Sequence, residues 1–265
     1  WSTQLLGDNI SIASMNAKVY VNGSVYWMGR DKFYVYSGTV EPLQCDVRKY
    51  VFGDLNDLQR TQIVAGSNET FNEVWWFYCS ADSETNDRYV VYDYVQDIWF
   101  YGNLGRTAWL DTGIRPFPLA ATYGANLVEH EVGVDNAETW NHPTAINASI
   151  TSSEFDLEDG HQFVFVWRVL PDMDFTGSEA ANPTATMTLL PLKSSGSGYS
   201  TPFSEGGTNT ATMTRTATLP IEAYTSQLYT RVRGRQMAMK IESTGLGVQW
   251  QLGTPRIDMR PDGRR

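Results

Sequence analysis

The chain has little of what most catalytic and metal-binding folds are built on. Its 265 residues include two cysteines, Cys45 and Cys79, and three histidines, His130, His142 and His161. Two thiols make neither a disulfide framework nor a cysteine-based zinc site, so both are expected as small buried apolar groups. The histidines lack ligand spacing. His130-Glu131 is followed by Val134 where a zinc-protease motif needs a second histidine, and the segment reads as strand.

Other absences narrow the function further. No run approaches the ~20 consecutive apolar residues of a membrane helix, and the N-terminus lacks the basic-then-apolar pattern of a secretory signal. There is no Gly-x-Ser-x-Gly elbow, phosphate loop or dinucleotide fingerprint. Asp172-Met173-Asp174 and Glu158-Asp159-Gly160 lack the oxygen spacing of a calcium loop and are expected as solvated turns. The remaining carboxylates also fall mostly in turns, although a facing glycosidase-type pair is a matter of tertiary placement. No catalytic, cofactor or metal residues are assigned, and no cofactor is expected. Basic excess is missing as well: 20 Lys and Arg stand against 30 Asp and Glu, a formal charge of −10. Gripping nucleic acid needs a dense basic face that releases counterions, so a polyanion is not the expected main partner. Asn9, Asn22, Asn68 and Asn147 fit Asn-x-Ser/Thr, but without a secretory signal these are read as chance matches.

What is present is aromatic. With 42% hydrophobic residues, 9 Trp, 14 Tyr and 11 Phe, the composition is globular and suited to half-buried pleated surfaces, so an all-β chain is expected. From about Ser11 to Gly133 a short aromatic strand, a tight turn and a second strand recur. Residues 17–21, 24–28 and 32–37 form one meander, with Asn22-Gly23 as a type I′ turn and Gly29-Arg30-Asp31 as the next. Residues 73–80, 88–94 and 98–102 form a second, and 119–123 with 127–132 a partial third. Val25-Tyr26-Trp27-Met28 aligns with Val74-Trp75-Trp76-Phe77, and Phe33-Tyr34-Val35-Tyr36 with Tyr89-Val90-Val91-Tyr92. Such repeats at roughly 40 to 50 residues are how propeller blades look in sequence. A closed propeller needs about four to eight blades, so the blades here are incomplete. The chain also opens at Trp1 in running structure, and is therefore read as a fragment or matured product. One short helix is expected between the first two meanders, where Asp54-Leu55-Asn56-Asp57 carries a helix-start pattern.

The pattern breaks around Asp135 to Thr144, which divides the chain into blade-like residues 1–137 and a β-sandwich, immunoglobulin-like, over 138–265. Its strands are expected at 145–152, 162–170, 184–190, 211–219, 229–243 and 248–252. Phe163 to Trp167 is apolar on both faces and reads as a central strand covered twice. Val248, Trp250 and Leu252 should face inward, with Gln249 and Gln251 outward. In the long strand from Leu228, a bulge near Gly234 would bring Leu228, Thr230 and Val232 to the same core as Met237, Met239 and Ile241. Residues 193–209, rich in Ser, Gly and Thr, read as an exposed loop.

Two side-chain groups are the candidate contact sites. Arg231, Arg233 and Arg235 alternate along a strand, and Arg256, Arg260, Arg264 and Arg265 follow near the end of an otherwise acidic chain. They read as an intersubunit salt-bridge patch, or else as a polar sheet face neutralised by the chain's own carboxylates. In Trp75-Trp76-Phe77-Tyr78, strand alternation separates Trp76 and Tyr78 from Trp75 and Phe77. Trp76 and Tyr78 are the candidate sugar-stacking pair, weighed against core packing.

These residues carry a resemblance. Val25 to Gly29, Phe33 to Gly38, Glu73 to Tyr78, Asn86 to Tyr92 and Arg106-Thr107-Ala108-Trp109 resemble the C-terminal half of tail nozzle, tail tubular or head-to-tail stabilisation proteins of short-tailed bacteriophages. Arg235 to Ile241 and Trp250 to Gly253 extend the likeness more weakly. The resemblance implies a virion structural protein of the phage tail, assembled in the bacterial host cytoplasm. It implies self-association as a hexameric tube, contacts with other tail or connector proteins, and genomic DNA ejected through the tube without specific binding. No enzymatic residues carry over. A propeller lectin or host-receptor-binding module is the rival expectation, and a glycoside hydrolase fragment a third.

Overall fold

The computed structural model describes residues 5–138, 142–157, 160–192 and 216–263. The expected loop at 193–209, part of the expected strand at 211–219, Trp140, Glu158, Asp159, Arg264 and Arg265 lie outside them. The chain is mostly β, in several antiparallel sheets, and divides into two units, Trp1–Val132 and Gly133–Arg265.

In the first unit β1 (Lys18–Val21), β2 (Ser24–Met28), β3 (Phe33–Tyr36) and β4 (Val40–Leu43) make a four-stranded antiparallel meander. A second is made by β5 (Val64–Asn68), β6 (Glu73–Tyr78), β7 (Arg88–Asp93) and β8 (Ile98–Asn103). The third sheet has three strands, β9 (Ala108–Leu110), β10 (Leu119–Ala121) and β11 (Leu127–Glu129). Asn22 and Gly23 adopt φ of 49° and 75°, the geometry a type I′ turn requires. The sequence reading of three strands per meander misses β4 and β5. Pro42 and Gly66 are strand-poor residues, tolerated here because both strands lie at sheet edges.

The internal alignment holds at the level of hydrogen-bonded register. Val25 pairs with Tyr36, Tyr26 with Val35, Trp27 with Tyr34 and Met28 with Phe33. The aligned residues of the second meander pair identically: Val74 with Tyr92, Trp75 with Val91, Trp76 with Val90 and Phe77 with Tyr89. Equivalent faces therefore point the same way along the stack. Tyr26 and Met28 on the first sheet share one core with Val74, Trp76, Tyr78, Val90 and Tyr92 on the second. The opposite face of the second sheet, Trp75, Phe77 and Val91, packs instead on Trp109 of β9. β6 is thus buried on both faces, and Trp75 stacks on Trp109 with ring centroids 5.4 Å apart.

The connection between the first two sheets holds two short helices rather than one. α1 spans Arg48–Asp54 and ends where the start signal lies. The signal marks a following 3-10 helix, Asp57–Gln62, whose N-cap Asn56 accepts from the Leu58 amide. Asn86, 2% exposed, ties this connection to the third sheet: its Nδ2 donates to the carbonyls of Gln62 and Arg106, and its Oδ1 accepts from the Cys79 thiol. Cys79 is buried and Cys45 half-buried, and burial pushes their thiols up to about 11 and about 12.

The second unit opens with β12 (Asp135–Asn136) paired to β13 (Thr144–Ala145). The Asp-Asn break read as a boundary is therefore a strand of the second unit, and the division falls earlier, at Gly133. One sheet comprises β14 (Ala148–Thr151), β17 (Thr184–Leu192), β18 (Ala217–Glu222) and β20 (Gln236–Ser243), in the order β14-β20-β17-β18. The other has β15 (Val164–Leu170) between β19 (Leu228–Gly234) and β22 (Arg256–Pro261). Met187, Leu189, Ile221, Met237 and Ile241 of the first sheet share one cluster with Val164, Val166, Val169 and Val232 of the second.

The expected long strand from Leu228 is two strands in two sheets. The chain crosses over at Gly234-Arg235, and this crossing, not a bulge, brings Val232 and Met237 to one core. A Cβ at Gly234 would lie 2.8 Å from Pro191 Cβ, so the corner needs glycine. β16 (Met173–Asp174) pairs with β21 (Gln251–Leu252), which corrects the reading of 172–174 as a plain turn. Val248, Trp250 and Leu252 pack on the core while Gln249 and Gln251 are exposed, as alternation requires.

The contact between the second and third sheets is tight enough to test. A Cβ at Gly66 would stand 2.2 Å from Trp109 Cδ1. Gly66→Ala is expected to cost about 1–3 kcal/mol through overpacking. Gly53→Ala, in open space within α1, is expected to gain up to about 1 kcal/mol. Urea midpoints of the two variants check both signs.

Candidate functional site

Among the described residues β15 is covered on one face rather than two. Its inward residues Val164, Val166 and Val169 are buried, whereas Phe165 is half-buried and Trp167 is 38% exposed. The pairing register of β15 shifts between Val166 and Arg168 against both neighbours: against β22 Trp167 is the extra residue of a bulge, whereas against β19 the extra residue lies on β19 between Tyr229 and Val232. With no second layer over it among the described residues, this apolar run leaves a groove of about 840 Å³, with Phe165 and Trp167 on the central strand. Tyr229, Thr230 and Arg231 of β19 and Arg260 of β22 form the flanks.

The predicted arginines meet on this sheet. Arg231 and Arg233 occupy alternate positions of β19, and Arg256 and Arg260 lie four residues apart on β22, with Asp258 between them on the same face. Arg235 lies past the corner, its guanidinium 5.1 Å from the Phe163 ring, which Arg233 also covers at 4.2 Å. Their neutralisation is uneven. Arg233 Nε donates to Asp262 at 2.6 Å, and the neighbouring Arg168 pairs with Asp258 at 2.5 Å. Arg231 and Arg260 have no acidic partner among the described residues, and the Arg260 guanidinium rests 5.2 Å from the centre of the Phe165 ring. Sequence reasoning missed Phe165, Trp167, Tyr229 and Thr230, because a strand apolar on both faces reads as interior. The period-two polar pattern Arg256, Asp258, Arg260 was the signal that this sheet turns one face outward.

Trp76 and Tyr78 are fully buried, so they form no sugar-stacking surface. Trp76 Nε1 donates to the Ala17 carbonyl at 3.1 Å, and its ring lies 4.8 Å from Phe33 and 6.0 Å from Trp99. Two layers cover β6, so both of its faces are given to packing.

A second polar constellation lies where the second and third sheets meet. Asn68, Glu73 and Asp93 are direct cross-strand neighbours on one face of the second sheet. Asn68 is completely buried, which also removes it as a glycan acceptor; its Nδ2 donates to Glu131 at 3.1 Å and its Oδ1 has no donor. Glu73 accepts from Trp75 Nε1 at 2.8 Å. Burial, followed by the charges of Glu131 and Asp93, pushes the Glu73 carboxyl up to about 7, and burial raises Glu131 as well. Beside them His130 Nε2 accepts from Arg106 Nε at 2.9 Å; burial and that guanidinium hold the imidazole down at about 4. Among the described residues no group of three or more His, Cys, Asp or Glu is placed to hold a metal ion. Nor is any helix among them long and apolar enough to cross a membrane.

No protein-family model matches the chain, and a search of curated proteins finds no match either.

Two outcomes follow from these placements. Trp76→Ala is expected to cost about 3–5 kcal/mol in chemical denaturation, as for a large buried aromatic. Glu73 is raised from an unfolded value near 4.5, so its contribution is fully present below that pH and is lost as pH rises through about 7. Glu73→Gln should therefore gain on the wild type between pH 5 and 8 in parallel urea titrations; equal slopes would refute the assignment.

Proposed function

We propose that the chain is a bacteriophage tail structural protein of nozzle or head-to-tail connector type, acting by oligomeric assembly around a DNA conduit. The meanders of the first unit are blades of an incomplete propeller, and the second unit is an immunoglobulin-like sandwich. The observation that carries this reading is the open stack. Within the first unit the first sheet packs on the second and the opposite face of the second packs on the third, and no fourth sheet of that unit closes the series among its described residues.

The positions aligned with Trp76 and Val90 are Trp27 and Tyr34, which stack on each other at 5.4 Å and take no part in the core between the sheets. Tyr20 on the same face is 69% exposed. At the other end Leu110 and Leu127 are 53% and 72% exposed. Tyr34 is buried and Trp27 half-buried, so the exposed apolar residues of these outer faces are Tyr20, Leu110 and Leu127, and such residues mark assembly surfaces. The net charge of −10 suits a conduit, since an acidic wall repels phosphate within a Debye length of ~8–10 Å and does not retain the DNA. The partners of this reading are further copies in a hexamer, adjoining tail or connector proteins, and passing DNA.

Light scattering coupled to gel filtration, with negative-stain imaging, tests it. Ring-shaped particles of hexamer mass are expected, and Tyr20→Asp combined with Leu127→Asp should reduce them to smaller species. A chain that stays monomeric at every concentration would sink the proposal.

A further inference from the structure

The groove on the β19-β15-β22 sheet has a chemistry that a passive scaffold does not use. Its volume of about 840 Å³ lies within the range of about 300–1,000 Å³ found for small-molecule sites, which are lined by rings with a few polar groups to orient the ligand. Phe165, Trp167 and Tyr229 supply the rings, and Arg231 and Arg260 two guanidinium forks. The contrast along the sheet is informative. Arg168 and Arg233 are neutralised by Asp258 and Asp262, whereas the two arginines that line the groove have no carboxylate partner among the described residues. A carboxylate brought by a ligand would complete them in the bidentate geometry guanidinium favours.

The geometry points to a binding site for carboxylate-bearing pyranosides, with the flat CH faces of the sugar on Trp167 and Tyr229 and its carboxylate between Arg231 and Arg260. The two arginines of the groove, without a carboxylate among the described residues of a chain of net charge −10, match one or two anionic groups on a ligand, not the continuous charge of a nucleic acid backbone. The site is independent of the assembly proposal, since it lies in the second unit on the face turned away from its core.

The test is titration of the full chain with tri-galacturonate by calorimetry and saturation-transfer NMR, using its methyl ester as the uncharged twin. The wild type is expected to bind the acid, with the ester about tenfold weaker. Arg231→Ala, Arg260→Ala and Trp167→Ala should each lose about tenfold or more. Arg231→Lys should recover only part, because an ammonium cannot replace the fork. These side chains face outward, so unchanged melting curves establish that the variants are folded. Absence of binding by the wild type, equal affinity for acid and ester, or variants that bind normally each overturn the proposal. So does tighter binding of a thymidylate oligomer, which would make the groove a single-strand platform. Arg231-dependent self-association in sedimentation without sugar binding would make it an interface between copies, and equally overturns it.

Discussion

The first unit depends on one sheet having no free face. β6 reads Glu-Val-Trp-Trp-Phe-Tyr, and every residue from Val74 to Tyr78 is buried. Adjacent residues of a strand point in opposite directions, so such a strand is stable only with a layer on each side. Trp76 fills the space toward the first sheet and Trp75 the space toward the third. The ordering of three sheets in series is the way this segment satisfies that demand. Glycine completes it on the tighter side, where Gly66 gives Trp109 room to lie against the sheet and donate to the Ser67 carbonyl.

The second unit solves a different problem. One core lies between two sheets, and the chain must supply both from a continuous run of apolar and polar residues. The corner at Gly234 does this, turning one extended segment into two strands whose inward residues meet the same cluster. With that core complete, the far face of β15 is released from packing. Phe165 and Trp167 become surface residues, and the arginines of β19 and β22 collect around them.

Polar groups divide along the same lines. In the first unit they are enclosed: Asn86 joins three segments by hydrogen bonds, and Glu73, Glu131 and His130 are buried deeply enough to favour their neutral forms. Desolvation there acts on carboxylates and the imidazole in opposite directions of pH, so raising the pH removes the Glu73 contribution through about 7 while lowering it removes that of His130 through about 4. In the second unit the charges lie outside, where ion pairs are solvated and weak, and an unpaired arginine is free to meet a ligand.

Much of the fold was legible in the sequence. Aromatic alternation located β2, β3, β6, β7 and β8, Asn22-Gly23 identified its turn, and the two meanders aligned in sequence share one pairing register in the structure. These are local properties, set by side-chain period and turn geometry. The arginines were legible as a group for the same reason, through their spacing of two. What tertiary structure alone decided is which faces are covered. Val-Trp-Trp-Phe in β6 and Phe-Val-Phe-Val-Trp around β15 are alike as patterns, yet among the described residues the first is enclosed by two layers and the second by one. Burial is conferred by partners distant in sequence, and no local period encodes their presence. For that reason Trp76 and Tyr78 proved interior, while Phe165 and Trp167 became the floor of a groove.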